Sequence, residues 1–226
     1  MKIKICGLRD IENIREILSL GVDMIGFDFI ESSPRYVRMI GSGAGFLPDY
    51  AHLIELSPLG DVKTEPILTA ERTGVFANTM PQTIVTHVVN YHLDYVQLDG
   101  EESPVMIANL KRTLIPDLQP DIKVIKALRI STESDFSKCQ LFEETADMFR
   151  FEFHFGDTAD NVIQLLKAYS SHKPYIVAGN INAQHVQQLA TAELPHCWGV
   201  ELNEQFETAP AQKDAAAIKA VLNLIR

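Results

Sequence analysis

Residues 2–7 read KIKICG. Ile3 and Ile5 alternate with Lys2, Lys4 and Cys6, so a strand here puts its two isoleucines on one face and brings the thiol out at its carboxyl end. In a parallel barrel, that is the end where chemistry is kept. Read alone, Cys6 is either a small buried hydrophobe, the commonest fate of a free cysteine, or a base. The second reading rests on the next four residues of the chain. Gly7, with Leu8, Arg9 and Asp10 opening a helix, places backbone N–H groups beside the thiol, and these would lower its pKa and make it proton-abstracting.

The same β-like signature recurs along the chain. Strands are expected near 2–6, 23–29, 72–77, 94–98, 122–128, 147–153, 174–178 and 198–202. Helix-period segments lie between them, at 11–20, 82–92 and 162–171, with an Ala-rich one at 211–225. Eight β-then-α units in 226 residues predict an α/β fold of the (β/α)8 TIM-barrel type, one domain spanning 1–226. A doubly wound open sheet is the alternative. The interval 38–71 is long for a crossover and holds Gly41, Gly43, Gly45, Pro48, Pro58, Gly60 and Pro66, with only HLIEL at 52–56 of helical character. It is expected to form the second crossover around a short helix, the alternative being a lid over the barrel mouth.

Composition excludes several classes. A hydrophobic fraction of 46% is enough for one sizeable core, and a net charge of −10 with scattered Lys and Arg argues against nucleic acid. Cys6, Cys139 and Cys197 are odd in number and lack CxxC spacing, so neither a disulfide framework nor a zinc site is expected. A reducing cytoplasm fits. The start runs directly into a strand pattern, and no uninterrupted apolar run of about 18 residues is present, so no membrane association is expected.

Several blocks together carry a resemblance: KIKICGLRD at the start, DMIGFDFIESSPRYV at 23–37, RTGVFAN at 72–78, DYVQLDGEESP at 94–104, VIKALRI at 124–130 and QFETAPAQKD at 205–214. In order and spacing the chain resembles the phosphoribosylanthranilate isomerase family of tryptophan biosynthesis. The resemblance implies a (β/α)8 barrel, an Amadori rearrangement of a small phosphorylated aminoaldose into an aminoketose, and no metal or organic cofactor; either a monomer or a homodimer is expected. One general acid and one general base suffice for that chemistry. By resemblance Cys6 is the base. Glu152, on the strand ADMFRFEF at 146–153, stands where the family has its acidic aspartate, one methylene further out, and its alternative reading is an ion pair inside the barrel. Arg35, after the turn stiffened by Pro34, offers a planar fork suited to a carboxylate, and by resemblance it holds that of anthranilate. Read without the resemblance, it is either a solvated loop charge or such a carboxylate grip.

Departures from the family pattern are equally specific. The glycine-rich loop expected after strand six is missing, for Phe155, Gly156, Asp157, Thr158, Ala159, Asp160 and Asn161 already lead into the next helix. Phosphate is then left to backbone groups near Gly179, Asn180 and Asn203. Glu204 puts a carboxylate at that end, which has to be turned away or screened. Asp99 replaces a histidine among the substrate-binding positions, and Asp28 replaces an apolar residue. On strand six, Phe149, Phe151 and Phe153 are expected to face the helices and Arg150 the interior, where it should pair with Asp28 or Asp99. Three functions are compatible with this pattern: a working isomerase with a shortened phosphate grip, a silent barrel binding an anionic ligand or a partner, or an isomerase with an altered substrate. The first is preferred.

Overall fold

The computed structural model describes residues 1–38 and 70–226. Eight strands close into a parallel barrel in sequence order: β1 Lys2–Cys6, β2 Met24–Asp28, β3 Glu71–Phe76, β4 Tyr95–Leu98, β5 Lys123–Arg129, β6 Met148–Phe153, β7 Tyr175–Gly179 and β8 Cys197–Leu202. Each lies within a residue or two of its expected place. Closure is made by β1 against β8, with Lys4 opposite Glu201. The helices among the described residues are α1 Ile11–Ser19, α2 Pro81–Tyr91, α3 Pro104–Leu114, α4 Asp160–Lys167, α5 Ala183–Thr191 and α6 Ala215–Ile225, with a 3₁₀ segment, Glu133–Phe142, in the fifth crossover. The expectation for 38–71 falls almost wholly outside the described residues.

Two helix expectations are corrected. The Ala-rich helix starts at Ala215, because Ala211 adopts a left-handed φ of 66° and Gln212–Lys213 (β10) turns back as a strand against Glu207–Ala209 (β9). Asp214 then caps α6 by accepting from the Ala217 N–H at 3.0 Å. Helix α4 ends at Lys167, short of the expected 171. Elsewhere local signals hold: Asp10 accepts from the Asn13 N–H at 2.9 Å and fixes the start of α1, a contact typically worth about 1 kcal/mol.

Strand alternation sorts side chains between two cores. Ile3 and Ile5 are buried in the layer between barrel and helices, with Ile14, Ile17 and Val200. Phe149, Phe151 and Phe153 join that layer as expected, and Phe151 meets Phe136 at 5.2 Å and Tyr175 at 5.2 Å between ring centroids. Inside the barrel, Met24, Tyr95, Ile125, Met148 and Ile176 form a separate apolar plug, closed by Trp198. These residues lie at or near the starts of their strands, so the plug fills the amino end. The other end carries charge.

Candidate active site

Above the plug, the inward positions of β1, β4, β6 and β8 hold Lys4, Gln97, Arg150 and Glu201, all buried. Glu201 is the hub. Its Oε1 accepts from Arg150 Nε at 3.0 Å and Nη2 at 2.7 Å, and its Oε2 lies 2.8 Å from Lys4 Nζ. Lys4 also donates to Gln97, whose Nε2 donates to Asp99 Oδ1 at 2.8 Å. Burial alone would raise the Glu201 carboxyl, but Arg150 and Lys4 overcome it and hold the group well below the usual carboxylate range. Arg150 therefore faces the interior as expected, but it pairs with Glu201 rather than with Asp28 or Asp99. The reason is height along the barrel: Asp28 and Asp99 lie at or beyond the ends of their strands, whereas Glu201, one residue inside the end of β8 and opposite Lys4, reaches the level of Arg150. Asp28, at the far end of β2, instead accepts from the Ile30 N–H at 3.0 Å.

Cys6 sits at the carboxyl end of β1, facing the interior next to this network. Its thiol is pushed up to about 12 by burial first and then by the Glu201 charge, against the opposing pull of Lys4, Arg150 and Lys213. The expectation that adjacent N–H groups would lower it is corrected. Gly7 N–H and Leu8 N–H both donate to Gly26 O, at 2.9 and 3.1 Å, and so are not offered to sulfur. Gly7 is needed for its φ of 78°, and a Cβ there would come within 2.5 Å of Arg35 Cδ.

Arg35 does arch over the mouth, but its fork is already engaged. Nε donates to Glu207 Oε1 at 2.9 Å and Nη2 to Glu207 Oε2 at 2.7 Å. Burial would raise Glu207, yet Arg35 and Lys213 together hold it below its ordinary value. Lys213 Nζ donates to Glu207 at 2.6 Å and to Asn203 Oδ1 at 2.9 Å. The β9–β10 hairpin carries this group into place and is anchored on α1, where Asn13 exchanges two hydrogen bonds with the Lys213 backbone at 2.9 and 2.8 Å. An open fork for a ligand carboxylate is thus corrected to a guanidinium of which, among the described residues, only the Nη1 edge is unengaged. Glu204 stands 4.0 Å from Arg35 Nη2 with more than half of its side chain exposed, so the pairing is loose, and it lines the same cleft as Gly179, Asn180 and Asn203.

Glu152 faces the mouth from β6, about two-fifths exposed, with Oε2 3.2 Å from Arg150 Nη1 and Oε1 3.6 Å from Arg129 Nη2. Two clefts open beside it. One, of about 420 Å³, is lined by Arg129, Glu152, His154, Gly179, Asn180 and Asn203 among others, so the three expected phosphate-end residues do converge. The Asn180 side chain is not free, however. Its Oδ1 accepts from Phe155 N–H at 2.7 Å and its Nδ2 donates to Phe155 O at 2.9 Å, pinning the short segment after β6. His185 accepts at Nδ1 from Asn182 N–H and holds Gly156 O through Nε2 at 3.0 Å. The second cleft, of about 610 Å³, brings Asp99 together with Glu152, Arg129 and Lys126.

Sequence reading found Cys6, Glu152, Arg35, Gly179 and Asn203 at the mouth, and missed Lys4, Gln97, Glu201, Glu207 and Lys213. Glu201 was recoverable, since Val200 and Leu202 flank it and alternation turns it inward. Glu207 and Lys213 fall within the block QFETAPAQKD that carries the resemblance, but no local pattern gave either a partner. Among the described residues, no helix is long and apolar enough to cross a membrane.

Comparison with known proteins agrees with this geometry. The family model described as N-(5'phosphoribosyl)anthranilate (PRA) isomerase matches residues 61–224. N-(5'-phosphoribosyl)anthranilate isomerase of Phocaeicola vulgatus is 30% identical over 230 residues, covering 100% of this chain and 98% of the relative. Monomers of the dimeric phosphoribosylanthranilate isomerase of Thermotoga maritima superpose with a TM-score of 0.71 at 23% identity, covering 100% of this chain and 98% of that one. A phosphoribosylanthranilate isomerase solved with reduced 1-(o-carboxyphenylamino)-1-deoxyribulose 5-phosphate gives a TM-score of 0.68 at 24% identity, with the same coverage. By sequence and by barrel, this chain belongs to the phosphoribosylanthranilate isomerase family.

Proposed function

We propose that the chain isomerises N-(5'-phosphoribosyl)anthranilate to the carboxyphenylamino-deoxyribulose phosphate, a step of tryptophan biosynthesis, acting as a monomer or homodimer. The observation that carries this reading is the convergence of a thiol from β1 (Cys6), a carboxyl from β6 (Glu152) and a guanidinium after β2 (Arg35) on one barrel mouth. Protonation of the ribose ring oxygen breaks its bond to the anomeric carbon while the anilino nitrogen lone pair forms an iminium. A base then takes the proton of the adjacent carbon, and those electrons give the enolamine, which tautomerises to the ketone.

Within that scheme Cys6 takes the carbon-bound proton, and by family position Glu152 supplies the ring-oxygen proton. The Nη1 edge of Arg35 meets the anthranilate carboxylate, and the phosphate lies in the smaller cleft near Gly179 and Asn203, with Arg129 at its rim. An assay of the purified protein with this substrate tests the reading, and Cys6→Ser should lower kcat by about 100-fold with folding intact. Absence of turnover by the unsubstituted protein sinks it. The high thiol pKa and the engaged Arg35 favour a second reading, a barrel that binds such a ligand without converting it, and tight binding of the reduced product analogue with no turnover would establish that instead.

A further inference from the structure

The segment leaving β8 is anchored on both sides of one short turn. Asn203 Oδ1 accepts from Lys213 Nζ at 2.9 Å, and Asn203 O accepts from the Phe206 N–H at 3.1 Å. Phe206 is buried in the layer between barrel and helices, and Glu207 beside it is clamped by Arg35 and Lys213. The 3₁₀ turn Glu204–Phe206 runs between these anchors. Its backbone is therefore fixed over the mouth, and the Glu204 side chain, 59% exposed, stands at the rim of the 420 Å³ cleft.

Two arginines and three glutamates line that cleft. Arg150 is committed to Glu201 and Glu152, and Arg129 stands 3.6 Å from Glu152. Those four charges balance, and Glu204 is the excess. Among the described residues, the one cation within 4.0 Å of it is Arg35, through an Nη2 that already donates to Glu207 at 2.7 Å. An ion pair so long and so exposed cancels little charge. The Asn180 side chain is spent on Phe155, so a phosphate here relies on backbone near Gly179 and Asn203 and on arginine edges, against a carboxylate held in place.

We propose that Glu204 is a specificity-determining residue, which by charge repulsion holds down the affinity of this barrel for the phosphate end of its substrate. The inference rests on the isomerase reading above and on the phosphate lying in the smaller cleft. Glu204 takes no part in proton transfer. It acts on binding alone, as a repulsive element set opposite the attractive ones. Across the width of such a wet cleft, one carboxylate against a phosphate dianion is worth about tenfold in affinity.

The test uses the full chain with Glu204→Gln, which removes the charge and keeps the shape, and Glu204→Lys, which reverses the charge. With the phosphoribosyl substrate, Glu204→Gln should lower KM about tenfold with kcat within about twofold of the parent. In calorimetry it should bind the reduced product analogue about tenfold more tightly and the same compound lacking its phosphate as the parent does. Glu204→Lys should go further in the same direction, and raising NaCl from about 0.02 to about 0.5 M should shrink the differences between the three proteins. Equal affinity of parent and Glu204→Gln for the phosphorylated analogue overturns the proposal. So does an equal gain for the analogue without phosphate, which would place the effect at Arg35. Absence of turnover by the parent overturns the isomerase reading alone, because the pair of analogues still reads the effect of Glu204.

Discussion

The two ends of the barrel interior solve the same packing problem with opposite chemistry. At the amino end, Met24, Tyr95, Ile125, Met148 and Ile176 fill the space with apolar volume, and the one polar group among them, the Tyr95 hydroxyl, donates to Glu71 Oε1 at 3.2 Å. Toward the carboxyl end, Lys4, Arg150 and Glu201 fill it with three charges, joined by the Gln97 amide, that are tolerable only as a closed set. The difference is one of additivity. An apolar plug loses stability in proportion to the volume removed, whereas a buried ion network fails as a unit when its hub is lost. The charged end also sets the potential felt by Cys6 and Asp99, so the costlier solution sits where chemistry needs it.

The sharpest way to break the comparison is to remove the hub. Glu201→Leu strands two buried cations and should destabilise the fold by about 3–5 kcal/mol, read by urea unfolding, whereas adding Lys4→Met and Arg150→Leu should recover much of that loss. A triple variant no better than the single one would mean the charges are not coupled. Because the folded Glu201 carboxyl is held below its unfolded value of 4.5, its contribution is present above that pH and is lost as the pH falls toward the folded value.

At the apolar end, Met24→Ala should cost about 3 kcal/mol through the cavity it leaves, and no second substitution among charged residues should restore it. Recovery by the Lys4 or Arg150 change would erase the distinction between the two ends.

The mildest perturbation is alkali. Between pH 9 and about 12 the unfolded chain has lost the Cys6 proton that the folded chain keeps, so stability falls with rising pH, by up to about 1.4 kcal/mol per unit. Cys139, pushed up to about 12, and Cys197, to about 11, add to the same slope. Cys6→Ala should flatten part of it in thermal melts taken from pH 8 to 10. An unchanged slope would show that the thiol is not held neutral by its surroundings.

Much of the fold was legible because its signals are local. The alternation of KIKIC, of MFRFEF and of the other six runs fixes which side chains face the helices, and that pattern is independent of what lies across the barrel. It placed Cys6 and Glu152 on inner faces at strand ends, and it turned Arg150 inward. The start of the last helix was misread because the left-handed Ala211 and the β9–β10 hairpin depend on docking to Asn13, 200 residues away in sequence.

Partnership was decided only by closure. Alternation requires that Arg150 find a carboxylate, but Glu201 is its partner because β1 seals the barrel against β8 and brings Lys4, Glu201 and Arg150 to one level. In the same way, a planar fork at position 35 is a property of the residue, while its occupation by Glu207 comes from a hairpin folded back over the mouth. The thiol at position 6 is placed by sequence, but its proton affinity is set by burial, by Glu201 and by N–H groups already given to Gly26. Side-chain direction is a short-range consequence of backbone geometry, whereas charge pairing and desolvation are sums over neighbours that only the closed tertiary structure assembles.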